Sequence, residues 1–528
     1  MRILTTYFGH ESNMTIYENG KISNIELDKI SSQKWIMAEG IPYAELGEIL
    51  EEAFSYYGGN EFDIWVNGSL DNNDYNGHVW EMRFKRIIKA KRVVQGPGHH
   101  YLHTFSAFYQ SPFEKALTIS CDGGGNDGSF NIYRCDKNGE IALFDAIPRF
   151  DFGTVYGLLG SLSPEIKEDQ HFLNIAGKAM GLAPFYTPPD PITAQDKKLK
   201  NACGDSYSDG RMQWVSNMFP DLPKNWHNVN VGLSKHGNHL TLKNELEARR
   251  LLYWNQYTLN NKMKLIINDR MYELFSRFDG NLVLTGGVAM NVTMNEFIKN
   301  MGIDTFVPCN PTDRGLSLGM MYWYLHLTGM EIPEGSQHLN GMPLIKDTDS
   351  TGKKATIPSI VKLLKAGAII GVAEGDSEVG QRALGRRSII CDPSFPDIKD
   401  KINTQVKFRE KYRPFAPMVL EEHLDYFKTP NKDNLEWMSY AVKTTEEFQE
   451  KFPAVCHIDG TARVQLCTDT DSSVYKIMKK LGTPLLNTSF NIQGQPIIAR
   501  ESEAFVMLEQ GGLDAILLNG VLYKKPKI

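Results

Sequence analysis

His99 and His103 stand four residues apart, just after Gly96-Pro97-Gly98. If Pro97 and Gly98 start a helix, this spacing puts both imidazoles on one face, where they can share a cation. The same spacing also suits a structural pair or a histidine that caps the helix start. His100 points elsewhere and is read as a hydrogen-bonding residue. Asp122 opens a run of glycines, Gly123 to Gly125, between two apolar segments. Glycines there let the backbone approach a phosphate, and a strand-end aspartate can hold a metal. A plain hairpin turn accounts for that run equally well. Thr285–Asn291 repeats the theme: a buried strand, then Gly286 and Gly287, then a helix whose N-terminus can receive phosphate or adenosine hydroxyls. Asp313 adds a carboxylate at a further strand-to-helix turn. Two glycine-rich strand ends, two histidines and two aspartates together describe a nucleotide-and-metal cleft.

A second set of residues suits an anion. Gln381, Arg382, Arg386, Arg387 and Ser388 are followed by Lys407, Arg409 and Arg413, then by Arg463, and finally by Asn487, Ser489 and Asn491. A helix surface would space its charges at three or four with apolar partners. These alternate with glycine and proline, as loops do when they converge on a ligand. The planar fork of arginine fits phosphate oxygens, and serine and asparagine complete a cradle. Solvated surface charge is the bland alternative.

The elements that must position both sets read as alternating strands and helices. Strands are expected at Ile3–Phe8, Met14–Tyr17, Arg92–Gln95, Ala116–Cys121, Phe130–Arg134 and Asn281–Leu284, with a turn at Asn19-Gly20 and a helical region from Asn244 to about Arg277. Each strand ends in a glycine or polar turn, which indicates an α/β architecture. Residues 185–245, rich in Pro, Asp, Asn and Lys, read as an insertion, and 329–357 as a linker. Gly367–Ala373 then opens a second α/β domain, giving expected domains at 1–345 and 346–528. No internal repeat is legible.

Composition narrows the function classes. The 528 residues imply more than one core, and the net charge of -6 argues against a protein that grips long nucleic acid by its backbone. Seven scattered cysteines contain no C-x-x-C pair, which fits a reducing cytoplasm and excludes zinc ribbons and thioredoxin-like redox motifs. The first residues lack the apolar core of a signal peptide, and no apolar run approaches the roughly 18 residues that cross a bilayer. The expectation is a soluble, cytoplasmic protein with no membrane partner. A homodimer is compatible with this composition.

The quoted residues resemble the O-carbamoyltransferases of antibiotic biosynthesis and nodulation-factor modification, the tobramycin carbamoyltransferase group. The resemblance spans nearly the whole chain and is thinnest over 20–90 and 185–245. Its most specific pieces are His99–His103, Gly177–Pro184, Thr285–Asn291, Gln381–Ser388, Tyr412–Pro417, Asp459–Arg463 and Leu486–Asn491. It implies an N-terminal actin/hexokinase-like domain, related to the threonylcarbamoyl transferases, that carries out carbamoyl transfer. The C-terminal α/β domain is then similar to threonylcarbamoyl-adenylate synthases. By the same resemblance the C-terminal domain makes carbamoyl-adenylate from ATP, with Mg(II), and carbamoyl phosphate. The N-terminal domain holds that anhydride beside a metal, Fe(II) or another divalent ion, for attack by a hydroxyl of a small-molecule, sugar or nucleotide-like acceptor.

Carried over by position, His99, His103, Asp122 and Asp313 match the metal ligands, and Gly286, Gly287 and Asn291 the adenylate-binding turn, with Asp122 also beside the nucleotide. Arg382, Lys407, Arg413, Arg463, Asn487 and Ser489 match the phosphate site. His10 falls near the acceptor. Gln381 stands where the family has proline, and Ala176 where it has an acidic residue. A small-molecule kinase of the actin/hexokinase superfamily is the alternative, and a non-catalytic nucleotide-binding protein a further one. A hydrogenase-maturation carbamoyltransferase would need the paired-cysteine zinc fingers that are absent from the sequence.

Overall fold

The hairpin at the start of the chain follows from its turn residues. Asn19 and Gly20 both take positive φ, 51° and 77°, which suits the tight connections whose twist matches flanking strands. They join β2 (Asn13–Glu18) to β3 (Lys21–Glu26), and β1 (Arg2–Tyr7) pairs antiparallel with β2. β4 (Glu61–Gly68) and β5 (Lys89–Gln95) add in parallel, giving the order β3-β2-β1-β4-β5. This computed structural model describes residues 1–34, 41–68, 84–147, 151–166, 172–209, 212–232, 240–335, 338–429, 432–492 and 494–525.

A second sheet contains β6 (Lys115–Gly125), β7 (Gly128–Asp136), β8 (Ile141–Ala146), β9 (Asn281–Thr285) and β10 (Asp304–Phe306) in the order β10-β9-β6-β7-β8. Its connectivity repeats that of the first sheet: an antiparallel meander of three, a fourth strand parallel to the first, and a fifth parallel to the fourth. The duplicated arrangement is actin/hexokinase-like, so an internal repeat does exist. It lies in topology rather than in matching residues, because a buried strand asks only for apolar character.

The later residues form an eight-stranded mixed sheet. Its strands are β11 (Lys353–Lys354), β12 (Ile370–Ala373), β13 (Arg387–Cys391) and β14 (Ala416–Val419), and a satellite sheet of β15 (Phe427–Lys428), β16 (Val442–Thr444) and β17 (Thr461–Ala462) interrupts the sequence. β18 (Gln465–Leu466), β19 (Leu485–Ser489), β20 (Ala515–Leu518) and β21 (Val521–Lys524) complete it in the order β11-β21-β20-β12-β13-β19-β14-β18. The chain is thus a mixed α/β protein throughout.

Three local expectations change. β6 does not stop at Cys121: it runs on through a register shift to Gly125, so Asp122 sits on a bulged strand end rather than in a free turn. The expected long helix is Glu245–Ile266, capped by the Asn244 side chain, then a π-turn at Ile267–Met271 and a last helical turn, Tyr272–Phe275. The stretch read as a linker is tied down at both ends of the fold: the Asn24 amide donates to the Asn340 carbonyl (2.7 Å), and the Ile345 amide to the Ala499 carbonyl (2.8 Å). Among the described residues no helix is long and apolar enough to cross a membrane.

Candidate functional site

The helix His99–Gln110 begins without a cap of its own. The turn between β6 and β7 supplies one. The Asn126 side chain accepts from the His99 amide (2.8 Å), and the Asp127 carboxylate accepts from the His100 amide (2.9 and 3.0 Å). These contacts satisfy donors that a helix start leaves unpaired and fix the helix on the second sheet. His100 is spent on structure, with Nδ1 2.7 Å from Ser120 Oγ and Nε2 2.9 Å from the Gly128 carbonyl. His99 and His103 face the other way, and their Nε2 atoms lie 3.1 Å apart.

Two carboxylates close on this pair. His103 Nε2 is 3.2 Å from Asp122 and 3.3 Å from Asp313, and His99 Nε2 is 3.5 Å from Asp313 and 4.0 Å from Asp122. The four ligand atoms lie within 4.8 Å of one another. Imidazole nitrogens and carboxylate oxygens this close need a proton or a cation among them. This two-histidine, two-carboxylate donor set fits a divalent transition metal. Behind it Tyr7 donates to Asp313 (2.6 Å), and His10 Nδ1 lies 3.2 Å from the same carboxylate oxygen. Tyr7 stands 306 positions from Asp313. Nothing in the sequence singles it out.

The charges of the cluster support one another. Burial works against a charge on His103, but Asp122 and Asp313 outweigh it and hold its pKa up at about 9. Burial pushes Asp313 up, yet His10, His99 and His103 bring it down to about 2. Burial likewise opposes the charge on Asp122, which His103 and His99 hold well below the usual carboxylate range. His10 is raised by Asp313 against its own burial.

Asp122 also ties the cluster to the second glycine turn, since it accepts from the Gly287 amide at 2.8 Å. Gly286 has φ 84°, and a Cβ there would come within 2.2 Å of the Cys121 carbonyl oxygen. Only glycine fits. Asn291 lies just beyond, where its side chain caps the helix Val292–Lys299 and exchanges amide hydrogen bonds with Gln256 at 3.0 Å. Those bonds account for Asn291 structurally.

The cations of the later residues do converge. Arg382 is pushed well down from its ordinary pKa by burial, then by Arg463 and Arg413, and Lys407 by burial, Arg409 and Arg413. Burial and Arg413 bring Arg463 to about 10. Arg409, which the position-by-position reading did not place in the site, belongs to the same group, lowered by burial, Arg413 and Arg463. Four arginines and a lysine held this close, with Glu410 the carboxylate among them, form a cradle that suits a polyanion. Lys407 donates to the Asn491 carbonyl (2.8 Å), its side-chain oxygen (2.7 Å) and Ser489 Oγ (3.2 Å). Asn487 donates to the Ala383 carbonyl (2.8 Å) and Gln465 (2.6 Å), while its own buried Oδ1 has no partner.

Glu378 organises the arginine loop. It is 1% exposed, and its Oε1 accepts from the amides of Leu384 (2.5 Å), Arg386 (2.7 Å) and Arg387 (3.1 Å). Arg386 pairs with Asp469 at 2.6 Å, and Arg387 is consumed by the carbonyls of Glu374 (2.8 Å) and Gly375 (2.8 Å). Of that run's arginines, Arg382 is therefore the one turned to the cradle. Gly380, at φ 99°, packs where a Cβ would lie 2.5 Å from the Cys309 carbonyl oxygen, and Gln381 bonds to Thr312. The arginine loop thus abuts the turn that carries Asp313.

The sequence relationships match this geometry. Residues 58–321 fit the family described as Carbamoyltransferase N-terminus, and residues 361–525 the Carbamoyltransferase C-terminus. The chain belongs to the carbamoyltransferase family. It is 30% identical to Nodulation protein NolO of Bradyrhizobium diazoefficiens, over 81% of this chain and 78% of that protein. It is 32% identical to Nodulation protein U of Rhizobium tropici, over 88% and 80%. Nodulation protein NolNO of Sinorhizobium fredii is 30% identical over 81% of this chain, which spans only 63% of that longer protein. Among solved structures, HypF of T. kodakarensis aligns over 62% of this chain and 48% of its own at 14% identity, with a TM-score of 0.35.

Proposed function

We propose that this chain is an ATP-dependent O-carbamoyltransferase with two linked centres. The observation that carries the reading is the cradle of Arg382, Lys407, Arg409, Arg413 and Arg463, like-charged, with Lys407 buried and the four arginines half-buried, against the loop that presents Asp313. In the cradle, carbamoyl phosphate loses inorganic phosphate to water, and the resulting carbamate oxygen attacks the α-phosphorus of ATP. Pyrophosphate leaves and carbamoyl-adenylate remains. Fixed guanidinium and ammonium groups hold the clustered anions and the charge that develops on the departing pyrophosphate.

The adenylate is then received at the Gly286-Gly287 turn, beside His99, His103, Asp122 and Asp313. An acceptor hydroxyl attacks the carbonyl carbon, AMP departs, and the hydroxyl proton is taken up by His10 at the acceptor side. A divalent metal held by the four ligands would act there as a Lewis acid. Tyr7 orients Asp313, and Asp122 couples the ligands to the adenylate turn through the Gly287 amide. The acceptor is a hydroxyl-bearing sugar, nucleotide-like or other small molecule.

A small-molecule kinase would use the glycine turns but leave five cations without a task. The test is pyrophosphate release from ATP, measured with and without carbamoyl phosphate, and mass spectrometry across an acceptor panel. The reading requires release that depends on carbamoyl phosphate and a mass gain of one carbamoyl group. ATP turnover without carbamoyl phosphate, with a phosphate appearing on the acceptor, would establish the kinase instead.

A further inference from the structure

Lys178 lies in the Gly177–Pro184 segment, which neither centre uses. It sits on the helix Phe172–Leu182, is 3% exposed, and its ammonium bonds to the Glu410 carboxylate. Glu410 belongs to the loop that presents Lys407, Arg409 and Arg413, and it is the carboxylate acting on Arg409 within the cradle. Its Oε1 goes to Lys178. Its Oε2 is buried without a hydrogen bond and lies 3.9 Å from Arg413 Nη1. That separation is long for a guanidinium–carboxylate bond, and a small rotation would close it into a bidentate pair. Arg413 would then spend on Glu410 the donors that a phosphate needs.

The same helix meets the cradle loop elsewhere. The Gly181 carbonyl accepts from His457 Nε2 at 2.9 Å, and a Cβ on Gly181 would lie 3.8 Å from the Tyr412 ring. The segment is seated firmly enough for Lys178 to hold one carboxylate in one place.

We propose that Lys178 is a positioning residue for the anion cradle: it neutralises Glu410 and keeps it off Arg413, leaving the arginine donors free for phosphate. This inference rests on the reading of the cradle as the ATP and carbamoyl phosphate site. A purely mechanical clamp between helix and loop behaves differently. In a clamp both partners matter equally. In the electrostatic role, loss of Lys178 releases a competing carboxylate, whereas loss of the Glu410 charge removes the competitor.

The test uses the full chain and its Lys178→Met, Glu410→Gln and double variants, with ATP and inorganic pyrophosphate as probes in titration calorimetry. Lys178→Met is expected to weaken both about tenfold or more, Glu410→Gln to stay within about threefold of wild type, and the double variant to recover most of the loss. Lys178→Arg, which keeps the charge, should bind as wild type does. The melting temperature, measured alongside, should fall for Lys178→Met, which leaves the Glu410 carboxylate without the ammonium that bonds it. If Lys178→Met does not fold, Lys178→Gln replaces it, because it keeps a donor toward Glu410 but not the charge. Equal losses for the two single variants, or no recovery in the double, would overturn the electrostatic role while leaving the cradle standing. A wild-type chain that binds neither probe would overturn the cradle reading and this inference with it.

Discussion

Replacing Arg463 with Met removes a charge and little volume. Burial and Arg413 lower the pKa of Arg463 from 12.5 to about 10, and its buried Nε has no hydrogen-bond partner. Arginine stays protonated at neutral pH, so the shift is a penalty carried by the folded, ligand-free protein. The sign follows from linkage: a base depressed in the folded state costs stability at every pH below its folded pKa, and the full cost is present at pH 7. At roughly 1.36 kcal/mol per unit, the difference between 12.5 and 10 corresponds to roughly 3 kcal/mol. This is an upper bound, because solvent reaches part of the side chain. Arg463→Met should therefore raise the melting temperature of the free protein, by about 1 °C for each kcal/mol relieved in a chain of this length. The same substitution deletes a charge-assisted phosphate contact of roughly 1.5–3 kcal/mol, so ATP affinity should fall about 10- to 150-fold. Thermal melts with and without ATP read both effects together: the free protein moves up, and the ligand-induced increment shrinks. A variant that melts lower without ligand and keeps the full ATP increment would refute the reasoning, because Arg463 would then be an ordinary packed side chain.

Other consequences follow from the two centres. His103→Ala should abolish metal occupancy by elemental analysis and stop carbamoyl transfer, while pyrophosphate release dependent on ATP and carbamoyl phosphate continues; full occupancy in the variant would return the paired histidines to a structural role. In metal-free protein, His103 at about 9 stabilises the fold fully below pH 6.5 and progressively less up to pH 9, so melting temperature should decline over that window. Asp313 at about 2 contributes above pH 3.8 and loses that contribution as pH falls toward 2. The decline between pH 6.5 and 9 should shrink in His103→Ala to the part that His10, also raised by Asp313, contributes, and an unchanged decline would assign it elsewhere. Glu378→Ala deprives three loop amides of their acceptor and should cost roughly 3–6 kcal/mol with loss of ATP binding, whereas Glu378→Gln keeps an oxygen there and should lose less. Denaturant melts and ATP titration of the two variants make the comparison.

The sequence by itself determined the chemistry on offer. The i, i+4 spacing of His99 and His103 on one helical face, glycines at strand ends, and arginines set among glycine and proline are local signals. Each survives in the fold because it depends on backbone geometry within a few residues. Six strands of the early sheets and the turn at Asn19-Gly20 were legible for the same reason, whereas β3, β4, β8 and β10 were not expected. Signals of that kind overreach where a neighbour decides the outcome. The glycines after Asp122 read as a break, yet pairing with β7 carries the strand on to Gly125. Arg386 and Arg387 read as equal to Arg382 until Asp469 and the carbonyls of Glu374 and Gly375 claim them.

What only the tertiary structure decided is which distant groups meet. Tyr7 reaches Asp313, Lys178 reaches Glu410, and Gln381 reaches Thr312 across separations of 306, 232 and 69 residues. Such pairs leave no periodicity or spacing to read, because either partner alone is an ordinary tyrosine, lysine or glutamine. The repeated sheet was hidden for a related reason, since its two copies share strand order rather than residues. Sequence fixes a side chain's chemistry, but its partner is set by how strands and helices stack. That stacking decided which cations face an anion and which are spent on the fold.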